Sequence, residues 1–212
     1  MAKKKNKFYV VWEGFNPGIY KTWNECQLQT KGYPNAKYKG FPTYDIAKKA
    51  LTEGYENYWG KDIFFSLLSE EELKLIGEPI KNSMTVDAAC QGVPGTMEYQ
   101  GVDFSTGKIV FHKGPFLDST NNIGEYLALV HALALMKKTN DNRPIYSDSK
   151  IAIGWVKEKK HRTNHELSKL NKDSFELLER ADKWLQENSY NNKILKWETK
   201  AWGEIPADFG RK

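Results

Sequence analysis

The sequence predicts an α/β chain in two parts. A small three-stranded α+β domain comes first, and a mixed five-stranded sheet with helices packed on it follows. Three observations carry this. In the first fifty residues, short apolar runs are separated by Pro-Gly, Asn and Gly turn signals. From residue 81 onward, strand-like runs come first and then interleave with amphipathic helices, in the order βββαβααβ. The charge is also split: residues 1–50 hold ten lysines against three acids, a net of +7, while the rest holds 22 basic and 24 acidic groups, a net of −2. Such asymmetry points to a polyanion-binding segment beside a part that does more than bind polyanions.

The elements follow in order. Residues 1–7, with Lys3, Lys4, Lys5 and Lys7, form a basic tail expected to be disordered. Residues 8–50 form the small unit. FYVVWEG is a strand ending at Gly14, and GIYKTW is a second strand behind Pro17 and Gly18. NECQLQTKG reads as a helix with Asn24 as N-cap and Gly32 as its stop. AKYKGF is the third strand, and TYDIAKKALTEG a second helix capped by Thr43. The aromatic residues of this unit exceed what so small a core needs, so some must face outward. Residues 51–80 read as a linker with one short helix, marked by a Ser69–Glu72 capping box and by Gly77 and Pro79 as terminators.

Residues 81–212 make the larger domain. SMTVDAA, TMEYQGVDF and GKIVFHKGPF are strands, the last two joined by a turn at Ser105, Thr106 and Gly107. NNIGEYLALVHALALMKK is a long helix with Tyr126, Leu129, Leu133 and Met136 on one face. RPIYSD is a short strand, SKIAIGWVKEKK a helix, and NHELSKLNKDSFELLERADKWLQEN a further helix or helix pair. KILKWET is the last strand.

Composition excludes several classes. Apolar residues make up 40% and aromatics 13%, which is not a disordered chain. No run approaches the ~18–20 apolar residues of a membrane span. The apolar stretch after the lysines, Phe8 to Trp12, stops at Glu13 and is too short for a signal peptide. A cytoplasmic location is therefore expected, with Cys26 and Cys90 reduced.

Four carboxylates then stand out by position. Asp87 sits within the first strand of the larger domain, Glu125 in the first turn of the long helix, Asp148 at the end of the next strand, and Asp208 in the terminal segment. Each alone has an ordinary reading: a solvent-facing strand residue, a helix-dipole partner, an N-cap, a solvated acid. Together they converge at one end of the sheet if the strands are neighbours. Clustered carboxylates stay ionised only with a compensating cation or shared protons. Oxygen-only ligation suits Mg²⁺ or Mn²⁺ rather than Zn²⁺, and two such ions about 3.5–4 Å apart suit phosphodiester hydrolysis.

The motifs VDAACQGVPG, NNIGEYLAL, YSDSKIAIGWV and WGEIPADFGRK, in this order and spacing, resemble the type 1 ribonucleases H. The resemblance is closest to the bacterial branch with an N-terminal hybrid-binding, or viroplasmin-like, domain, whose pattern FYVVWEG, GIYKTWNEC and AKYKGF fit. It implies a ribonuclease H-like mixed five-stranded sheet with helices on both faces. It also implies endonucleolytic cleavage of the RNA strand of an RNA–DNA hybrid, leaving 5′-phosphate and 3′-hydroxyl ends. Asp87, Glu125, Asp148 and Asp208 fall on the family's metal-binding acids, implying two Mg²⁺ per site, with Mn²⁺ able to substitute. Glu204, four residues before Asp208, matches an acid implied in metal exchange during product departure.

The resemblance also implies contacts with the duplex. Gly92, Asn121 and Asn122 match residues that meet the RNA strand, where the 2′-hydroxyl distinguishes RNA from DNA. Lys150 stands where Gln is usual, exchanging a minor-groove contact for a cation in reach of a phosphate. Val93 replaces a common Asn. Thr120, Thr163 and Thr199 match hydroxyls that hold a DNA phosphate, though each also reads as an ordinary turn hydroxyl. Tyr9, Trp23, Tyr38 and Lys39 match hybrid-touching residues of the small domain, with core packing as the competing reading for the aromatics. The loop before Asp208 lacks the family's mobile His, and none of the four histidines is assigned to catalysis. The hybrid duplex is the implied partner, with neither a membrane nor an obligate protein partner.

Overall fold

The computed structural model describes residues 6–210, so the tail expected over 1–7 lies outside them except for Asn6 and Lys7. The chain divides into two compact units between Leu67 and Leu68.

In the first unit, strands β1 (Phe8–Glu13), β2 (Gly18–Tyr20) and β3 (Lys37–Phe41) form an antiparallel sheet in the order β2-β1-β3. Helices α1 (Trp23–Thr30) and α2 (Tyr44–Glu53) complete the expected pattern. The cap of α1 is Thr22, not Asn24. Thr22 accepts the Glu25 N–H at 3.2 Å while the Glu25 carboxylate accepts the Thr22 N–H at 3.1 Å. This reciprocal pair satisfies two donors at once and starts the helix earlier. Val10 and Phe41 pack with Ala47 and Ala50 of α2. Val11 alternates to the opposite face, where it and Cys26 of α1 are buried.

Residues 51–67 are not the tether the sequence suggested. Tyr58, Ile63 and Phe65 join the Val10–Phe41 core. Tyr58 stacks on Trp12 at 6.1 Å and Phe65 lies 5.4 Å from Phe41, ring centre to ring centre. A core of some forty residues buries too little apolar surface alone, and these side chains close its open side.

The second unit opens with α3 (Glu70–Ile76), which keeps its Ser69–Glu72 capping box. Its sheet holds β4 (Met84–Gly92), β5 (Gly95–Asp103), β6 (Ile109–Ser119), β7 (Ile145–Ser147) and β8 (Ile194–Lys196), in the order β6-β5-β4-β7-β8. The β4–β5 and β5–β6 pairs are antiparallel, and β4–β7 and β7–β8 are parallel. This is the mixed five-stranded sheet that the resemblance implied.

Helices α4 (Asn121–Lys138), α5 (Lys150–Glu158) and α6 (Lys172–Glu187) pack over one face. Tyr126, Leu129, Leu133 and Met136 of α4 are fully buried there with Val86, Ala88 and Ile145. On the other face, Tyr146 and Trp197 pack with Ile205, beside Trp202 of the one-turn α7 (Thr199–Trp202). Trp202 Nε1 donates to the Gly77 carbonyl at 2.8 Å, tying the end of α3 to that side.

The predicted helix over 164–188 begins only at Lys172. The preceding loop spends its polar groups on tertiary bonds. Buried Asn171 donates through Nδ2 to Asp118 Oδ2 at 3.2 Å and to the Glu166 carbonyl at 2.9 Å. Ser168 donates to Asp118 Oδ2 at 2.5 Å, and His165 Nε2 lies 2.8 Å from the Asp118 carbonyl oxygen. Such bonds outweigh the modest helix propensity of this stretch.

Candidate metal centre

Val86 and Ala88 of β4 point into the α4 core, so Asp87 between them faces the other side of the sheet. Across β5 its register partner is Gln100. On its other flank, β7 is in register with β4 only at Met84 and Thr85. Beyond Thr85 that flank is left without a strand, the kind of crevice where α/β sheets place their sites. Asp148, the first residue after β7, enters the gap.

Glu125 enters from α4. That helix starts at Thr120, whose hydroxyl accepts the Ile123 N–H at 3.4 Å. Gly124 lets its first turn press on the sheet: a Cβ there would stand 2.6 Å from Ala88 Cβ and 2.7 Å from Met97 Sδ. The result is that carboxylate oxygens of Asp87, Glu125 and Asp148 all lie within 4.8 Å of one another.

The electrostatics of this trio oppose full ionisation unless a cation or shared protons compensate. Glu125 is 3% exposed. Its Oε1 accepts from Asn121 Nδ2 at 3.3 Å, while its buried Oε2 finds no donor. Burial pushes the Asp87 carboxyl up to about 7; a hydrogen bond with Glu125 opposes this, and the charges of Asp148 and Asp208 add to it. Burial, then the charges of Asp87 and Asp148, hold Glu125 well above the usual carboxylate range. Asp148 is raised by burial and by Glu204 and Asp208, against the pull of Lys196. An all-oxygen set with an orphaned buried oxygen fits a hard divalent ion, which would replace the missing donor and let the acids ionise.

Without metal, the folded chain keeps a proton on Asp87 between its ordinary 3.8 and about 7, where the unfolded chain has released it. The folded state then binds more protons in that window, so stability falls as pH rises through it. In EDTA, the melting temperature of the natural chain is expected to drop more steeply from pH 5 to pH 7.5 than that of Asp87→Asn. Parallel profiles would contradict the shift.

Asp208 and Glu204 stand at the margin of the trio. Both charges act on Asp148, and Asp208 also acts on Asp87. The Asp208 N–H donates to the Ile205 carbonyl at 2.8 Å, and its Oδ2 accepts the Gly210 N–H at 2.9 Å. Glu204 is exposed.

The other residues singled out by sequence fall in three places. Asn121 and Asn122 are exposed on the first turn of α4, and Lys150 is exposed at the start of α5, two residues after Asp148. Gly92, at φ +106°, turns the β4–β5 hairpin, a conformation that favours glycine. Thr120 and Thr163 lie on segments joined through Asp118, whose carboxylate takes Ser168 and Asn171 from the Thr163 loop. Thr199 stands apart, opening α7.

In the first unit, Trp23 lies between Tyr9 and Tyr38, with ring centres 5.6 and 5.7 Å away. Trp23 is 42% exposed and Tyr38 37% exposed, which favours a contact surface over a core. Lys39 is not brought to this trio. It pairs in register with Val10, on the face that α2 covers, and its ammonium donates to the Lys61 carbonyl.

The histidines all sit outside the carboxylate trio. His112 pairs with Glu98, His161 with Asp182 and His165 with Asp118, and His131 stacks on Phe111 at 4.1 Å. Sequence reasoning missed Gln100, Gly124, Asp118 and Lys196. The glycine before the helix acid was visible as a small residue. The other three become legible only once strand register and loop contacts are known.

Among known proteins, residues 7–51 match the family described as the ribonuclease H1 N-terminal domain. A ribonuclease H of Saccharomyces cerevisiae is 33% identical over 101 residues, covering 44% of this chain and 29% of that protein. Ribonuclease H of Schizosaccharomyces pombe is 44% identical over 55 residues, covering 26% of this chain and 21% of that protein. The chain thus spans under a third of the length of these relatives. The crystal structure of ribonuclease H1 from Halobacterium salinarum aligns over 56% of this chain and 87% of that one, at 22% identity and a TM-score of 0.35. The matched domain and the relatives bear out the resemblance to type 1 ribonucleases H that carry this N-terminal domain.

Proposed function

We propose that this chain, which joins a ribonuclease H1 N-terminal domain to a ribonuclease H-like sheet, hydrolyses the RNA strand of RNA–DNA hybrids endonucleolytically. The products would carry 5′-phosphate and 3′-hydroxyl ends. One observation carries the reading: three carboxylates from β4, α4 and the end of β7 meet within 4.8 Å, and the buried Glu125 oxygen among them has no donor.

In this reading Asp87, Glu125, Asp148 and Asp208 hold two Mg²⁺, with Mn²⁺ able to substitute. Such ions, when bound, supply positive charge at the scissile phosphate and lower the pKa of the attacking water. The chain's own residues do the rest. Asn121 orients Glu125 through its amide and, with Asn122 and the Gly92 hairpin, meets the RNA strand. Lys150 faces an RNA phosphate. Thr120 and Thr163, held together through Asp118, grip a DNA phosphate, with Thr199 as a further hydroxyl. Glu204 assists metal exchange as product leaves.

The first unit, within which the sequence marked residues 8–50, serves as the duplex-gripping domain. Tyr9, Trp23 and Tyr38 form its contact surface, and Lys39, on the other face of the sheet, is left out of it. The enzyme would act in the cytoplasm without an obligate protein partner, and its nearest kin would be bacterial. Among the described residues, no helix is long and apolar enough to cross a membrane.

Cleavage of hybrid, double-stranded DNA and double-stranded RNA of one sequence, with Mg²⁺, tests the reading. Only the hybrid's RNA strand should be cut. Equal cutting of all three, or none, would overturn it. A second test addresses the aromatic surface. Trp23→Ala should weaken hybrid binding roughly tenfold, within the ~1–3 kcal/mol of an aromatic–nucleotide contact. Its melting temperature should stay close to that of the natural chain because the ring is 42% exposed.

A further inference from the structure

The three clustered acids are each held by regular structure: Asp87 by β4, Asp148 by the end of β7, Glu125 by α4. Asp208 has no such support. It lies beyond α7 in a segment without helix or strand, six residues after Trp202. Buried Ile205 packs on Tyr146 and Trp197, the Phe209 ring lies 5.8 Å from that of His112 on β6, and the turn bond from Asp208 N–H to the Ile205 carbonyl shapes the stretch between.

Beside these contacts, one long-range side-chain hydrogen bond joins the residue next to the acid to the sheet. Gln100 Nε2 donates to the Ala207 carbonyl at 2.8 Å. Gln100 is 8% exposed and sits on β5 directly across from Asp87. Cross-strand partners share a face, so this amide rises beside the Asp87 carboxylate. Two residues along β5, Val102 occupies the same face as a buried apolar residue. A glutamine amide buried among such neighbours costs free energy unless its bond is made, so an apolar residue would be the expected occupant if packing were all that mattered.

We infer that Gln100 is a positioning residue: by clamping the Ala207 carbonyl to the strand that faces Asp87, it holds Asp208 at the margin of the trio as the fourth metal carboxylate. The inference rests on the metal reading proposed above and goes beyond it, because it places a residue of β5 outside the four acids in control of one of them. The bond is made by the residue before the acid, so the clamp fixes the backbone and leaves the Asp208 carboxylate to a cation.

Gln100→Met removes the donor while keeping the length and flexibility of the side chain. Two measurements on the full chain test the clamp. In metal-free protein, hydrogen exchange at the Asp208 and Gly210 amides should speed up at least tenfold in Gln100→Met, with the amides of β4 and α4 unchanged. In a Mn²⁺ titration followed by electron paramagnetic resonance, Gln100→Met should weaken binding about tenfold, the lower end of what groups orienting a metal ligand contribute. Asp208→Asn should weaken it at least as much, and the double variant no more than Asp208→Asn alone.

Unchanged exchange at 208–210 overturns the clamp whatever the metal does. So do losses in the two single variants that add fully in the double one, since the residues would then act independently. Loosening that spreads through β4 and α4 means a purely structural role and also overturns it. A natural chain that fails to bind Mn²⁺ overturns the metal reading itself. The exchange arm, which needs no metal, keeps that failure apart from failure of the clamp.

Discussion

Asp148→Asn is expected to reduce hybrid cleavage by more than about a hundredfold while leaving hybrid binding and fold intact. Groups that only orient a metal ligand cost roughly 10–100-fold when removed, so loss of a ligand should cost more. The change replaces one oxygen of the trio by an amide that neither carries charge nor coordinates a hard cation well. Stability should not suffer. Burial and the neighbouring acids Glu204 and Asp208 already disfavour the ionised form of Asp148, so removing its charge relieves repulsion in metal-free protein. The checks are single-turnover cleavage at saturating hybrid, a binding isotherm in Ca²⁺, and thermal melting in EDTA. A variant that cleaves at the natural rate would remove the metal reading. A variant that is inactive because it is unfolded would show in the melting curve.

Deletion of residues 1–67 is expected to raise the hybrid concentration for half-maximal cleavage roughly tenfold or more. The rate at saturation should stay nearly constant. The boundary follows the break between the two compact units rather than the shorter 8–50 span, because Tyr58 and Phe65 belong to the first core. Residues 1–50 carry a net of +7, so the drop in affinity should be mostly electrostatic. The plot of log affinity against log salt should therefore become shallower, by about 0.9 for each phosphate of a B-form duplex that the shortened chain no longer neutralises. Tethering raises the local concentration of the catalytic unit near the duplex, so processivity should fall as well. A deletion that abolishes turnover at saturation would mean that the first unit does more than grip the substrate.

Much of the site was legible in the sequence because its acids sit at positions that secondary structure defines. Asp87 within an apolar-flanked strand, Glu125 in the first turn of a long helix and Asp148 at a strand end are local facts, and the trio forms where those elements meet. Tyr126, Leu129, Leu133 and Met136 were legible for the same reason: a 3.6-residue period marks one buried face. Local reading failed where tertiary contacts set the outcome. The N-cap of α1 is the exception: Thr22 outdoes Asn24 through a capping box with Glu25, a local T-x-x-E motif that stands in the sequence. Residues 164–171 gave up helix to bind Asp118, a partner some fifty residues earlier. Residues 51–67 read as a tether, yet Tyr58 and Phe65 find ring partners in Trp12 and Phe41.

The sequence by itself determined the two-part organisation, the order of strands and helices, and the places of four candidate acids along them, three of which the fold brings together, since these places depend on periodicity, caps and motif spacing along the chain. Only the tertiary structure decided which strands are neighbours, which face Asp87 takes, that Lys39 lies away from the aromatic trio, and that Gln100 reaches the segment bearing Asp208. Those facts are set by strand register and by bonds between residues up to 107 positions apart, and no local pattern encodes a contact whose partner it does not contain.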